Sequence, residues 1–330
     1  MARITRPDPS VYSEDAIAPE TRANIDYVEK TLLEAPAMYE FEPAVLRELR
    51  RQGAGVVPLE PTSDIAEWIE IDGLDGNRVP LRVFAPQGRG AVYSGVYLHI
   101  HGGGWTLGSA DAHDQFLEKL ARDLSAAVVS VEYRLAPEHP YPAGPNDCEA
   151  AALWLVENAE AEFQTSNFAI GGESAGGHLS AVTLLRMRNK HKLTPFRAAN
   201  LVYGAFDMQQ TPSQRNWGPR NLVLNDRILD WFSNHFLPPA EFSFENRGAP
   251  DISPLNARLH DMPPALFSVG TLDPLLDDSL FMAERWASAG NEAELAVYPG
   301  GIHAFDAFDF PLAHEARARM TAFLKKAFAR

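Results

Sequence analysis

Hydrophobic positions change their period along this 330-residue chain, and each change predicts a different element. Ile25, Val28 and Leu32 recur at helical spacing, and Val45, Leu46 and Leu49 do so again after Pro43. Two short amphipathic helices are therefore expected within residues 1–60, closed off by Gly53, Gly55 and Pro58. From Ile65 the period becomes two. Val79, Leu81 and Val83 alternate with polar residues behind the turn pair Asp75-Gly76, which predicts a β-hairpin. Beyond it, short apolar runs at 96–100, 127–131, 168–171, 200–203, 265–269 and 294–297 read as strands. Helical patterns near 111–125, 146–160, 175–189, 277–289 and 310–329 separate them. Strands alternating with helices predict βαβ units and an α/β fold: a mostly parallel sheet covered on both faces, with antiparallel strands at one edge.

Residues 205–262 break the alternation. They hold Pro, Asn and the aromatics Trp217, Trp231, Phe232 and Phe236, without a strand pattern. A structureless loop of that length does not suit a compact domain, so an inserted helical subdomain is expected. The division expected is an N-terminal cap of residues 1–60 over a main domain of residues 61–330, with a second cap contribution at about 205–262.

Composition narrows the partners. Apolar residues at 45% and charged residues at 22% suit a globular chain. A net charge of −15 leaves no basic surface for a phosphate backbone, so nucleic acid is not an expected partner. No apolar run approaches the length of a membrane span, and the opening MARITRPDPSVYSED lacks the apolar stretch of a secretory signal. The single cysteine, Cys148, excludes an intramolecular disulfide or a cysteine-based metal site and fits a reducing, cytoplasmic setting.

The sharpest chemical signal is Gly172-Glu173-Ser174-Ala175-Gly176, set between a predicted strand and a predicted helix. That is the Gly-x-Ser-x-Gly nucleophile elbow in the context it needs, with Ser174 at the turn and the helix N-terminus behind it. Upstream, His101-Gly102-Gly103-Gly104-Trp105 follows a buried strand. Its uncovered N–H groups, with that of Ala175, would hold an oxyanion. His99 and His101 could instead form a metal pair, but no nearby carboxylate has ligand spacing. His303, in a loop after a predicted strand, suits the base, whereas His314 falls on a predicted helix as a solvated residue. Two acids remain on pattern alone, because Asp207 and Asp273 both follow strands. Asp277 and Asp278 belong to the start of a helix.

With these pieces in place, the sequence resembles the hormone-sensitive lipase family of α/β-hydrolases, the bacterial family IV esterases, from about residue 65 onward. Five motifs stand in the family's order: HGGGW at 101–105, YRLAPEHPYPA at 133–143, GESAGG at 172–177, DPLLDD at 273–278 and HAF at 303–305. The resemblance implies the α/β-hydrolase fold with a helical cap. It also implies Ser174 as nucleophile, Asp273 as acid and His303 as base, with Gly102, Gly103 and Ala175 as the oxyanion hole. Short-chain acyl esters, no metal or organic cofactor, and in many members a homodimer come with it. The family usually has Asp at the position of Glu173. Trp105, Trp217, Trp231 and Phe305 are candidates to line an acyl or alcohol pocket, or to be core. An amidase, arylformamidase or lactonase would use the same triad, and a non-catalytic receptor would have no use for His303.

Overall fold

The computed structural model describes residues 4–329. Nine strands lie among them: β1 Ile4–Thr5, β2 Ala66–Asp72, β3 Arg78–Phe84, β4 Val96–Ile100, β5 Ala127–Val131, β6 Phe168–Glu173, β7 Phe196–Val202, β8 Ala265–Leu272 and β9 Ala293–Ile302. They form one sheet in the order β1-β9-β8-β7-β6-β4-β5-β3-β2. The β2–β3 hairpin and the β3–β5 pair are antiparallel, and every other pair is parallel. β4, β5 and β6 are buried along their whole length, because helices cover both faces of the sheet.

The helices are α1 Pro19–Glu34, α2 Pro43–Arg51, α3 Asp114–Leu124, α4 Ala143–Phe163, α5 Ala175–His191, α6 Pro212–Arg215, α7 Asp226–Phe236, α8 Leu276–Ser288 and α9 Pro311–Phe328. α3 shows the usual cause: Leu117, Leu120, Ala121 and Leu124 bury one face, and Ser125 ends the helix in a left-handed conformation. None of the helices among the described residues is long and apolar enough to cross a membrane.

Two differences from the sequence pattern concern the edges. Ile4–Thr5 extends the sheet beside β9, a pairing two residues long and therefore too short to show a period. β9 also runs on through Pro299-Gly300-Gly301-Ile302, which the sequence reads as loop, so that His303 follows the strand directly.

The segment before β2 and the segment between β7 and β8 meet above the carboxyl ends of the strands. Arg220 pairs with Glu29 of α1 at 2.9 Å, and the Arg227 guanidinium lies over the Tyr39 ring. Among the described residues 205–262 contain helical turns and no strand of the sheet. Their root is fixed by Asp278 in the first turn of α8. It accepts from the amides of Phe206 and Asp207, from Thr211 Oγ1 and from Gln214 Nε2.

Candidate active site

The site assembles at the carboxyl ends of β4, β6, β8 and β9, where an open α/β sheet presents its ligands. β6 lies against β4 with Ile100 opposite Gly172. A Cβ at Gly172 or at Gly176 would be driven into the Ile100 carbonyl, so only glycine lets α5 start this close to β4. Ser174, between those glycines, is held at φ 55°, ψ −116°, a conformation a side chain rarely adopts. That turn aims the hydroxyl out of the sheet into a cavity of about 900 Å³.

Asp273 and His303 leave the sheet side by side. β8 and β9 run parallel and pair Leu272 with Ile302 after a bulge, so the next residue on each strand is a neighbour of the other. Close approach at that bulge is possible because Gly270 has no Cβ, which would strike the Gly301 carbonyl. His303 Nδ1 lies 2.9 Å from Asp273 Oδ2, and His303 Nε2 lies 2.9 Å from Ser174 Oγ. A carboxylate can only accept, which puts the hydrogen on Nδ1 and leaves Nε2 to accept from the serine hydroxyl. Asp273 is buried, and its other oxygen accepts from the Leu275 amide at 2.8 Å. Asp207 lines the cavity but turns its carboxylate back to its own loop, accepting from the Gln209 amide at 2.9 Å. Of the two acids that pattern left open, only Asp273 touches the histidine. His314 is solvated on α9 and pairs with Asp309.

Gly102 sits opposite the elbow, and a Cβ there would lie 2.9 Å from the Glu173 carbonyl oxygen and 3.5 Å from Ser174 Cβ. Among the described residues no group accepts from the N–H of Gly102, Gly103 or Ala175. Three donors are therefore unused in the segments flanking Ser174, the last of them at the positive end of α5.

Beneath the nucleophile lies a buried polar layer. Glu173 Oε2 meets His99 Nε2 at 3.0 Å, and His99 Nδ1 meets Ser130 Oγ at 2.8 Å. Burial opposes the Glu173 charge, but the attraction and hydrogen bond of His99 outweigh it and hold the carboxyl down at about 2. Glu173, which also lines the cavity, thus ties β6 to His99 near the carboxyl end of β4. Tyr203 packs its ring 4.8 Å from the His303 ring and donates its hydroxyl to buried Asp306. His99 and His101 share no ligand: the His101 ring stacks on Tyr133 with Nδ1 on the Gly102 carbonyl, and burial lowers it to about 3.

Of the four aromatic candidates, Trp105 alone lines the cavity. Its indole N–H donates to His178 Nδ1 at 3.0 Å, and His178 Nε2 donates in turn to the Ile252 carbonyl at 2.8 Å. Phe305 is core between Tyr203 and Tyr298. Trp217 bonds the Arg220 carbonyl, and Trp231 packs on Phe232 and His235, both outside the lining. Sequence reading missed Arg47 of α2. It reaches the carbonyls of Thr106 and Ala136 at 2.7 and 2.6 Å and both oxygens of Glu138 at 2.9 and 2.8 Å. The available signal was an arginine beside Leu46 on the face of a helix expected to pack inward.

Comparison with known proteins agrees with this geometry. A profile described as the alpha/beta hydrolase fold matches residues 97–307. Over 320 residues the chain is 34% identical to the carboxylesterase NlhH of Mycobacterium tuberculosis, covering 93% of this chain and 97% of that protein. It is 31% identical over 264 residues to an ethyl acetate hydrolase of Pseudomonas putida, 78% of this chain and 81% of that one. Among solved structures, a hyperthermophilic esterase from the archaeon Pyrobaculum calidifontis superposes with a TM-score of 0.80 at 28% identity. That match covers 94% of this chain and 98% of the other.

Proposed function

Because this chain belongs to the α/β-hydrolase fold family, among carboxylesterases of the hormone-sensitive lipase type, we propose that Ser174, His303 and Asp273 are its catalytic triad. The protein is a serine carboxylic-ester hydrolase. One observation carries the assignment of roles: the unbroken chain from Ser174 Oγ through His303 to buried Asp273, open to a cavity at the serine end.

Ser174 Oγ attacks the ester carbonyl as its proton passes to His303 Nε2. The oxygen that becomes negative is met by the free N–H groups of Gly102, Gly103 and Ala175, preorganised donors in an enclosed site. Asp273 holds the ring in the required tautomer and stabilises the imidazolium. His303 then protonates the departing alcohol, leaving Ser174 acylated. Water that gives a proton to His303 attacks the acyl carbon, and Ser174 leaves with that proton.

Residues 1–60 and 205–262 act together as the cap, supported by the Arg220–Glu29 pair between them and by the Arg47 contacts to the loop after Gly104. A cavity closed in this way suits short acyl chains. The one cysteine, Cys148, is buried on α4 without a disulfide partner, which supports a cytoplasmic setting. A homodimer belongs to the same reading and is checked by light scattering. The functional test is hydrolysis of p-nitrophenyl acetate, butyrate, octanoate and palmitate by the wild type and by Ser174→Ala. Butyrate should exceed palmitate, and the variant should lose about 10⁴- to 10⁶-fold in kcat, since triad members act as a unit. Near-normal turnover by folded Ser174→Ala would overturn the assignment.

A further inference from the structure

Four arginines line the cavity, and three have partners. Arg47 pairs with Glu138 at 2.8 Å and Arg51 with Glu48 at 2.9 Å. Arg317 lies 3.9 Å from Glu60 and over the Phe116 ring at 4.9 Å. The Arg50 side chain has no ion pair, hydrogen bond or ring contact among the described residues. Half-buried in the last turn of α2, it follows Arg47 by three residues, so the two side chains share a helix face. Arg47 fixes where that face points, because it bonds the Thr106 carbonyl just beyond Gly102–Gly104. Arg50 is therefore held a turn away, over the same cavity that opens on Ser174.

The same stretch of the lining supplies the apolar residues Leu46, Leu49, Val56 and Val57. Burial without a counter-charge pulls the Arg50 guanidinium down from its usual range. A cation kept in such a place costs free energy until something anionic meets it. We propose that Arg50 is the recognition point for a carboxylate on the substrate, so that the esters this enzyme takes carry a carboxylate remote from the scissile bond. The planar fork of a guanidinium fits a carboxylate through two parallel N–H bonds. One positive charge balances one carboxylate. A doubly charged phosphate would instead leave excess negative charge in a cavity that Glu132 and Asp111 also line.

This inference rests on the esterase reading above, and the experiment separates the two. Substrates come in matched pairs differing only at the far end: ethyl hexanoate with monoethyl adipate for the acyl side, hexyl acetate with 6-acetoxyhexanoate for the alcohol side. The quantity read is the ratio of kcat/KM for the carboxylate ester over its neutral partner. In Arg50→Gln that ratio should fall about ten- to a hundredfold in at least one pair, mainly through KM, the scale of a hydrogen bond to a charged group. Arg50→Lys should keep part of it. Arg50→Glu should reverse the preference towards an ester ending in an ammonium group. Thermal melting checks that each variant is folded. An unchanged ratio in both pairs, or a wild type that hydrolyses neither carboxylate ester, overturns the proposal. If neutral esters are cleaved but cleavage survives in Ser174→Ala, the esterase reading itself fails.

Discussion

The floor of the site and its roof are built by different physics. The floor, at the ends of β4, β6, β8 and β9, is a matter of backbone touching backbone. Gly172 and Gly176 lie against the Ile100 carbonyl, and Gly270 lies against Gly301. The roof is a matter of long side chains reaching across the sequence: Arg47 to Glu138, Arg220 to Glu29 and Arg227 to Tyr39. A backbone contact at that distance tolerates no Cβ, so the floor admits few sequences and one geometry. A side-chain contact has rotamers and substitutes, so the roof can vary in pocket chemistry while the floor keeps the reaction.

That contrast can be broken from the floor upward. Asp273→Asn should cost about 10⁴-fold in kcat, the scale seen when a catalytic histidine loses its tautomer partner. Asp207→Asn, a carboxylate of the same cavity that does not touch His303, should cost less than about tenfold, under roughly 1.4 kcal/mol of barrier. The reverse ranking on two folded variants would move the acid out of the floor as described.

Glu173→Gln tests the layer beneath. It should lower the unfolding free energy at neutral pH by roughly 1–3 kcal/mol, because His99 loses a buried charged partner. The folded-state value of about 2 lies below the ordinary carboxylate range. The stabilisation is therefore complete above that range and lost as pH falls through about 2. Denaturant titrations of both proteins should converge between pH 4 and pH 2, and a gap that widens on acidification would contradict the pairing.

The roof predictions are smaller. Arg47→Ala should reduce kcat/KM about tenfold, roughly 1.4 kcal/mol, because α2 is released from the Thr106 and Ala136 carbonyls near the Gly102–Gly104 turn. Arg220→Ala should cost less than about 1 kcal/mol in melting experiments, since its pair with Glu29 is partly exposed and screened by solvent. If Arg220 proved as costly as Glu173, the roof would share the rigidity of the floor.

The same contrast explains what could be read in the sequence. The elbow around Ser174, the Gly102–Gly104 run and His303 were legible, because each is a local string whose residue types answer a steric demand. Strand and helix positions in the main domain followed from period alone. The choice between Asp207 and Asp273 did not, since both follow strands. The contact of Asp273 with His303 depends on the register that sets Leu272 beside Ile302, a relation between chain segments thirty residues apart. Arg47 left only its place beside Leu46 on a helix face, and Arg50 and the buried Tyr203–Asp306 pair left no local trace, because the partners are distant or, for the Arg50 side chain, absent among the described residues. Trp217, Trp231 and Phe305 showed the opposite failure: aromatic type suggests a pocket and core equally.

The central claim is that the floor forms a covalent acyl-enzyme on one residue. Intact-mass measurement on protein quenched within milliseconds of mixing with p-nitrophenyl butyrate tests it, followed by peptide mapping. A butyryl adduct is expected on the peptide containing Ser174, accumulating further in Asp273→Asn as deacylation slows, and absent in Ser174→Ala. An adduct on any other residue, or turnover in Ser174→Ala equal to that of the wild type, would contradict it.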